Sequence, residues 1–192
     1  MTCLIDTINI MTDTPDYLSD YNPAWPLWFA EINRYLRHHL PHFLAIEHIG
    51  STSIAGMAAK PIIDIDRVVA AGQMTATIEA LTNAGYTHQG DLGIVGREAF
   101  KQVGEAAYAL PAHHLYACEQ NSIELQKHIS FRDYLRTHSN EASRLSELKR
   151  RLAWTDHLSR AEYIEAKGPA VQDITQKALA WHVAKQANER HN

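Results

Sequence analysis

The sequence predicts an α/β (α+β) protein. An arm covers residues 1–20, a mixed α/β core spans 21–118, and a helical extension over 119–192 packs on that core as one compact unit. Three observations predict this. Two strand-like runs, FLAIEHI and the β-branched IIDIDRVVA, lie among helical stretches. Strand signals stop beyond Cys118, and two of the three helices that follow open on capping-box patterns, with no flexible linker before them.

The elements follow in order. Residues 1–20 are polar and aperiodic. From Pro23, Trp25, Trp28, Phe29, Ile32 and Leu36 recur at three- and four-residue steps, an amphipathic helix with Asn22 as its N-cap and Pro41 as its stop. FLAIEHI is a strand closed by Gly50-Ser51-Thr52-Ser53, and IIDIDRVVA is the next strand. Ile78 and Leu81 mark a helix over 74–84, ended by Gly85. REAFKQV and AHHLYAC read as strands on either side of a loop, GEAAYALP. Asn121-Ser122-Ile123-Glu124 is a capping box for a helix to about His138, and EASRLSELKRRLAW is a second helix with Leu145, Leu148 and Leu152 on one face. A second box, Ser159-Arg160-Ala161-Glu162, starts a terminal helix that Gly168-Pro169 is expected to kink or interrupt.

Composition narrows the function. Apolar residues at 45% and charged residues at 21% are those of a folded domain, which excludes wholesale disorder. A net charge of −4 argues against a basic surface gripping nucleic acid. Two cysteines make no disulfide framework. The N-terminus lacks the basic region of a signal peptide, and no apolar run nears the ~20 residues of a membrane span. A cytoplasmic protein with no membrane partner is expected. Twelve histidines bring no zinc spacing with them, and His38, His39 and His42 sit where a helix end favours imidazolium.

The chemistry concentrates between residues 47 and 66. Asp64 and Asp66 alternate with Ile63 and Ile65, so both carboxylates leave one strand face. Two acids so placed repel unless a cation, a base or solvent lies between them, and Mg²⁺ is commonly held by one or two carboxylates plus substrate phosphates. Upstream, Gly50 lets the backbone approach a ligand closely, and Ser51 and Ser53 offer hydroxyls beyond the strand end. Each feature alone also fits an ordinary turn or a solvated strand face. Together they read as a cradle for a metal and a triphosphate. His48, two residues before Gly50, is expected to share its face.

The stretch IEHIGSTSIAGMAAKPIIDIDRVV resembles the signature of the GrpB family, a bacterial family placed in the nucleotidyltransferase superfamily. YNPAWPLWFAEI, GREAFKQV, HHLYACEQNS, HISFRDYLRTH, LKRRLA and AEYIEAK extend the likeness over nearly all of 21–167. The resemblance implies a mixed-sheet, nucleotidyltransferase-like fold. It implies Gly50, Ser51 and Ser53 on phosphate, and Asp64 and Asp66 on Mg²⁺; the histidines near the site would also admit Mn²⁺. The implied partners are a nucleoside triphosphate and a small-molecule acceptor. Where superfamily members carry a third carboxylate on a later strand, this chain has His114, which alternation sets on one face with Tyr116, to bind metal or take a proton. Glu124, the nearest alternative, is explained by its capping box. Arg97 and Lys101, four apart on one strand face, are phosphate candidates, and Lys60 and Lys167 lie near the motifs. Arg132 and Arg136, one helical turn apart, form either a phosphate clamp or, with Asp133, a structural ion network. The alternative function is a catalytically silent module that holds a nucleotide or phosphometabolite, linked to coenzyme A metabolism by analogy.

Overall fold

The computed structural model describes residues 18–40, 43–154 and 158–189. The first seventeen residues of the expected arm, the stop at Pro41 and His42 lie outside them. The elements run α1 (Trp25–His39), β1 (Ala45–Ile49), a 3₁₀ turn (Ser51–Ser53), β2 (Ile63–Val69), α2 (Met74–Asn83), β3 (Tyr86–His88) and β4 (Arg97–Gln102). Then come α3 (Glu105–Tyr108), β5 (His113–Glu119), α4 (Ile123–Thr137), α5 (Ser139–Ala153) and α6 (Arg160–Glu189). The sheet is mixed, in the order β1-β2-β5-β4-β3, with β2 parallel to β5 and the other neighbours antiparallel. No helix among the described residues is long and apolar enough to cross a membrane.

Alternation gives the sheet two different faces. Ile63, Ile65, Leu115, Ala117 and Phe100 join Trp25, Ile32 and Leu36 of α1 and Leu81 of α2 in the main core. The opposite face carries Val68 and Cys118 further along, where Leu125 and Ile129 of α4 cover them. A third cluster ties Ile54 and Met57, just past the 3₁₀ turn, to Tyr134, Leu135, Leu145 and Ile174 of α4, α5 and α6. The turn at Ser51 is thereby anchored to the helices, and this junction sets the position of the site.

Several details differ from the sequence reading. Asn22 is not the N-cap of α1. Its Oδ1 accepts from the Ala24 amide at 2.9 Å and its carbonyl from Trp25 at 3.0 Å, so a side-chain-closed turn precedes the helix. The GEAAYALP segment contains the short α3, and the three-residue β3 is too brief to display a period. α6 runs through Pro169 without interruption. The residue before a proline avoids helix because its Cβ meets the ring, and Gly168 has no Cβ. The box at Ser159 forms as expected: Glu162 Oε2 accepts from the Ser159 amide at 2.8 Å and Ser159 Oγ from the Glu162 amide at 3.3 Å. The cap of α4 is Ser122, one residue beyond Asn121, and its side chain accepts from the Leu125 amide. Ser122→Ala is expected to lower stability by about 1 kcal/mol in urea denaturation, and Asn121→Ala much less.

Candidate functional site

The site starts where β1 ends. Gly50 has φ +67° and ψ −173°, a region that other residues enter only under strain. A Cβ there would stand 2.3 Å from Oδ2 of Asp64, so the bare Cα lets strand end and carboxylate touch. The Ser53 hydroxyl donates to the Gly50 carbonyl at 2.6 Å and closes the turn. Ser53, expected on phosphate, is a turn-holding residue whose carbonyl accepts from Nε of Arg136 at 3.0 Å.

On β2, Asp64 and Asp66 do share a face, and register sets them beside His114 and Tyr116 of β5. His114 Nδ1 lies 2.9 Å from Asp64 Oδ1. A carboxylate accepts, so Nδ1 carries a proton. Asp66 is fully buried, and its Oδ2 accepts from His128 Nδ1 at 2.7 Å. Its Oδ1 has no hydrogen-bond partner. Burial raises the Asp66 pKa against the pull of His128. Burial alone would lower that of His128, but the hydrogen bond and charge of Asp66 outweigh it and raise the value.

Lys149 of α5 completes the arrangement. It is 4% exposed and donates to Ser51 Oγ at 2.5 Å and to the Ala58 carbonyl at 3.3 Å. Burial, and next the charge of Lys167, push its pKa down to about 7, against the opposing charge of Asp64. No carboxylate forms an ion pair with it among the described residues. A cleft of about 260 Å³ opens here, lined by Ser51, Lys60, Asp64, His114, Lys149 and Lys167 with apolar neighbours. Asp64 and Gly50 also line a second cleft of about 380 Å³, formed with Arg97, Tyr116, Glu124 and His128.

The GrpB protein family profile matches residues 17–177. The chain belongs to the GrpB family. It is 37% identical to the YqkA protein of Bacillus subtilis over 84% of this chain and 46% of YqkA, so it spans about half that relative's length. It is 32% identical to the BH1888 protein of Halalkalibacterium halodurans over 85% of this chain and 82% of that one. The solved GrpB structure from Enterococcus faecalis superposes with a TM-score of 0.74 at 30% identity, covering 86% of this chain and 98% of the other.

Several residues singled out in this GrpB sequence lie away from the clefts. His48 is a neighbour of Ile65 in the sheet and so sits on the core face, opposite the carboxylates. It stacks on Phe29 at 4.8 Å and meets Thr52 Oγ1 at 3.0 Å, and burial lowers its pKa to about 4. Lys101 shares its face with Arg97 but lies exposed beside Thr87 of β3 and lines neither cleft. Arg132 is held by Glu47 at 2.6 Å and Asp133 at 2.7 Å, and Arg136 by Ser53, so the pair forms the structural network rather than a clamp. Glu124, freed from capping by the one-residue shift to Ser122, lines the second cleft.

A divalent ion fits this GrpB site only in one form. Among the described residues no group of three or more His, Cys, Asp or Glu side chains can cage a metal. Two carboxylates on one face, one with an unpartnered buried oxygen, suit the other form, in which phosphates and water fill the remaining positions.

Proposed function

We propose that this GrpB protein binds a nucleoside triphosphate with Mg²⁺ or Mn²⁺ and transfers its nucleotidyl group to a small acceptor. One observation carries the reading: three lysines, a serine hydroxyl and the Asp64–His114 pair converge on a single cleft. Lys60, Lys149 and Lys167 supply positive charge for phosphate oxygens. Ser51 accepts from Lys149, which leaves its own proton for a phosphate. Asp64, together with the buried and unpartnered oxygen of Asp66 behind it, would hold the ion, which when bound neutralises phosphate charge. His114 fixes Asp64 through Nδ1 and offers Nε2 at the cleft. The residues therefore position and neutralise, which is most of what phosphoryl transfer requires. The buried free thiol of Cys118 is in keeping with a cytoplasmic setting.

Calorimetric titration with ATP, GTP, CTP and UTP, with and without Mg²⁺, tests this. Metal-dependent heat is expected for at least one triphosphate, and Asp64→Ala is expected to abolish it while leaving a cooperative unfolding transition. No heat from any of them overturns the reading. A silent nucleotide-holding module is the second reading, favoured by His114 standing beside Asp64 where β5 would otherwise bring a third carboxylate. Pyrophosphate release in the presence of acceptors separates the two.

A further inference from the structure

The second cleft contains a cation with no hydrogen-bonded oxygen. Arg97 of β4 lies with its guanidinium carbon 4.2 Å above the Tyr116 ring. Its Nε is buried without a hydrogen-bond partner, and among the described residues no oxygen accepts from the group. Arg132, Arg136 and Arg150 show the usual outcome in this chain, each donating to an oxygen within 3.0 Å. Of the three guanidinium nitrogens Nε is the one both buried and unpartnered, and leaving a buried donor unmet is costly. The other charges of the cleft have partners. Lys127 donates to Glu124 at 2.6 Å, His128 bonds Asp66, and Asp64 bonds His114. Arg97 feels the charge of buried Asp66 and lies over Tyr116 but has no hydrogen-bonded oxygen, which leaves its fork for an anion from outside.

The placement says what kind of anion. Asp64 lines both clefts, the first together with the three lysines and the second together with Arg97. In an in-line displacement the incoming and leaving oxygens stand on opposite sides of the phosphorus. If the leaving phosphates lie among the lysines, the acceptor approaches from the Arg97 side.

We propose that the second cleft is the acceptor subsite, and that it takes a small hydroxyl compound bearing a carboxylate or phosphate, with that anionic end on Arg97. This rests on the nucleotide reading above. The apolar side chains of Ile49, Phe131 and Val171 cover the body of the compound. Its hydroxyl oxygen bonds the α-phosphorus as the bond from that phosphorus to pyrophosphate breaks. Pyrophosphate leaves with the electron pair toward the lysines, and the hydroxyl proton passes to the Glu124 carboxylate, the acid that lines this cleft beside Asp64.

The test titrates the full chain with glycerol 3-phosphate, with glycerate and with glycerol, before and after a non-hydrolysable triphosphate and Mg²⁺ are added. At least one anionic probe is expected to bind saturably and glycerol not, the two probes deciding between phosphate and carboxylate. Arg97→Gln is expected to weaken that probe about tenfold or more, and Arg97→Lys by less, since the charge stays and the fork goes. Anionic probes that bind no better than glycerol, or an affinity unmoved in Arg97→Gln, overturn the subsite. Arg97-dependent probe binding in a chain that never takes up the triphosphate overturns the nucleotide reading instead and leaves an anion site standing.

Discussion

Lys149→Met is expected to make the protein more stable at neutral and mildly acidic pH and to cost it the triphosphate. The side chain is 4% exposed with no carboxylate paired to it among the described residues, so its charged form meets little water. Its pKa of about 7 lies below the ~10.4 of a solvated lysine. Between those values the unfolded chain binds more protons than the folded one, so stability rises with pH across that window. It is lost as pH falls toward 7 and stays flat below. Over the window the change amounts to roughly 3–5 kcal/mol. Methionine has a similar reach and no charge, and it removes the slope. In urea denaturation the variant should gain on the wild type at pH 6 by a few kcal/mol more than at pH 9. Parallel profiles at the two pH values would refute the argument. The same substitution deletes a cation from the cleft, and affinity for a triphosphate with Mg²⁺ is expected to fall about a hundredfold, some 3 kcal/mol of charge-assisted bonding. In the wild type, binding that needs charged Lys149 should draw in a proton and weaken as pH rises above about 7.

How much of this was legible follows from the range of each signal. The Asp64–Asp66 face needed only the two-residue period of a strand, and His114 followed from the same period on β5, because β2 and β5 are neighbours in register. The Ser159 box was readable because both of its bonds are local. Lys149 was not. It stands next to Arg150 and Arg151 in a run that looks like a solvated helix face, at the edge of the stripe of Leu145, Leu148 and Leu152. The buried residues of α5 are Ala142, Leu145, Ser146, Lys149 and Ala153. That is also a three-and-four spacing, and a polar residue on it was the available signal. His128 was hidden the same way, one turn from Leu125 and from Arg132 on the inner side of α4. His48 does not share the face of Gly50, because Gly50 lies past the end of β1, where strand alternation no longer links the two residues. Arg97 was visible as a charge on a strand, but that it lacks a partner is a tertiary fact.

Gly50→Ala is expected to cost far more than an ordinary glycine substitution, because two penalties coincide. The backbone at φ +67° and ψ −173° is strained for any side chain, a cost of about 1–3 kcal/mol. The new methyl would also meet Asp64 Oδ2 at 2.3 Å and Asp64 Cβ at 2.9 Å. The carboxylate end can swing, but doing so breaks its 2.9 Å bond to His114, worth about 1 kcal/mol. The Cβ belongs to a central strand and cannot swing. Gly56 is the control, since its φ is +78° and a Cβ there meets nothing within 4 Å. Gly56→Ala should therefore show backbone strain alone, of about 1 kcal/mol, while Gly50→Ala should lose roughly 3 kcal/mol or more by the same urea measurement. Combining Gly50→Ala with Asp64→Ala tests the cause. Removal of the carboxylate should return part of the excess, so the double variant should be more stable than the two single losses sum to. Strict additivity would mean that strand end and carboxylate do not touch. The cleft built on their contact would then have to be redrawn.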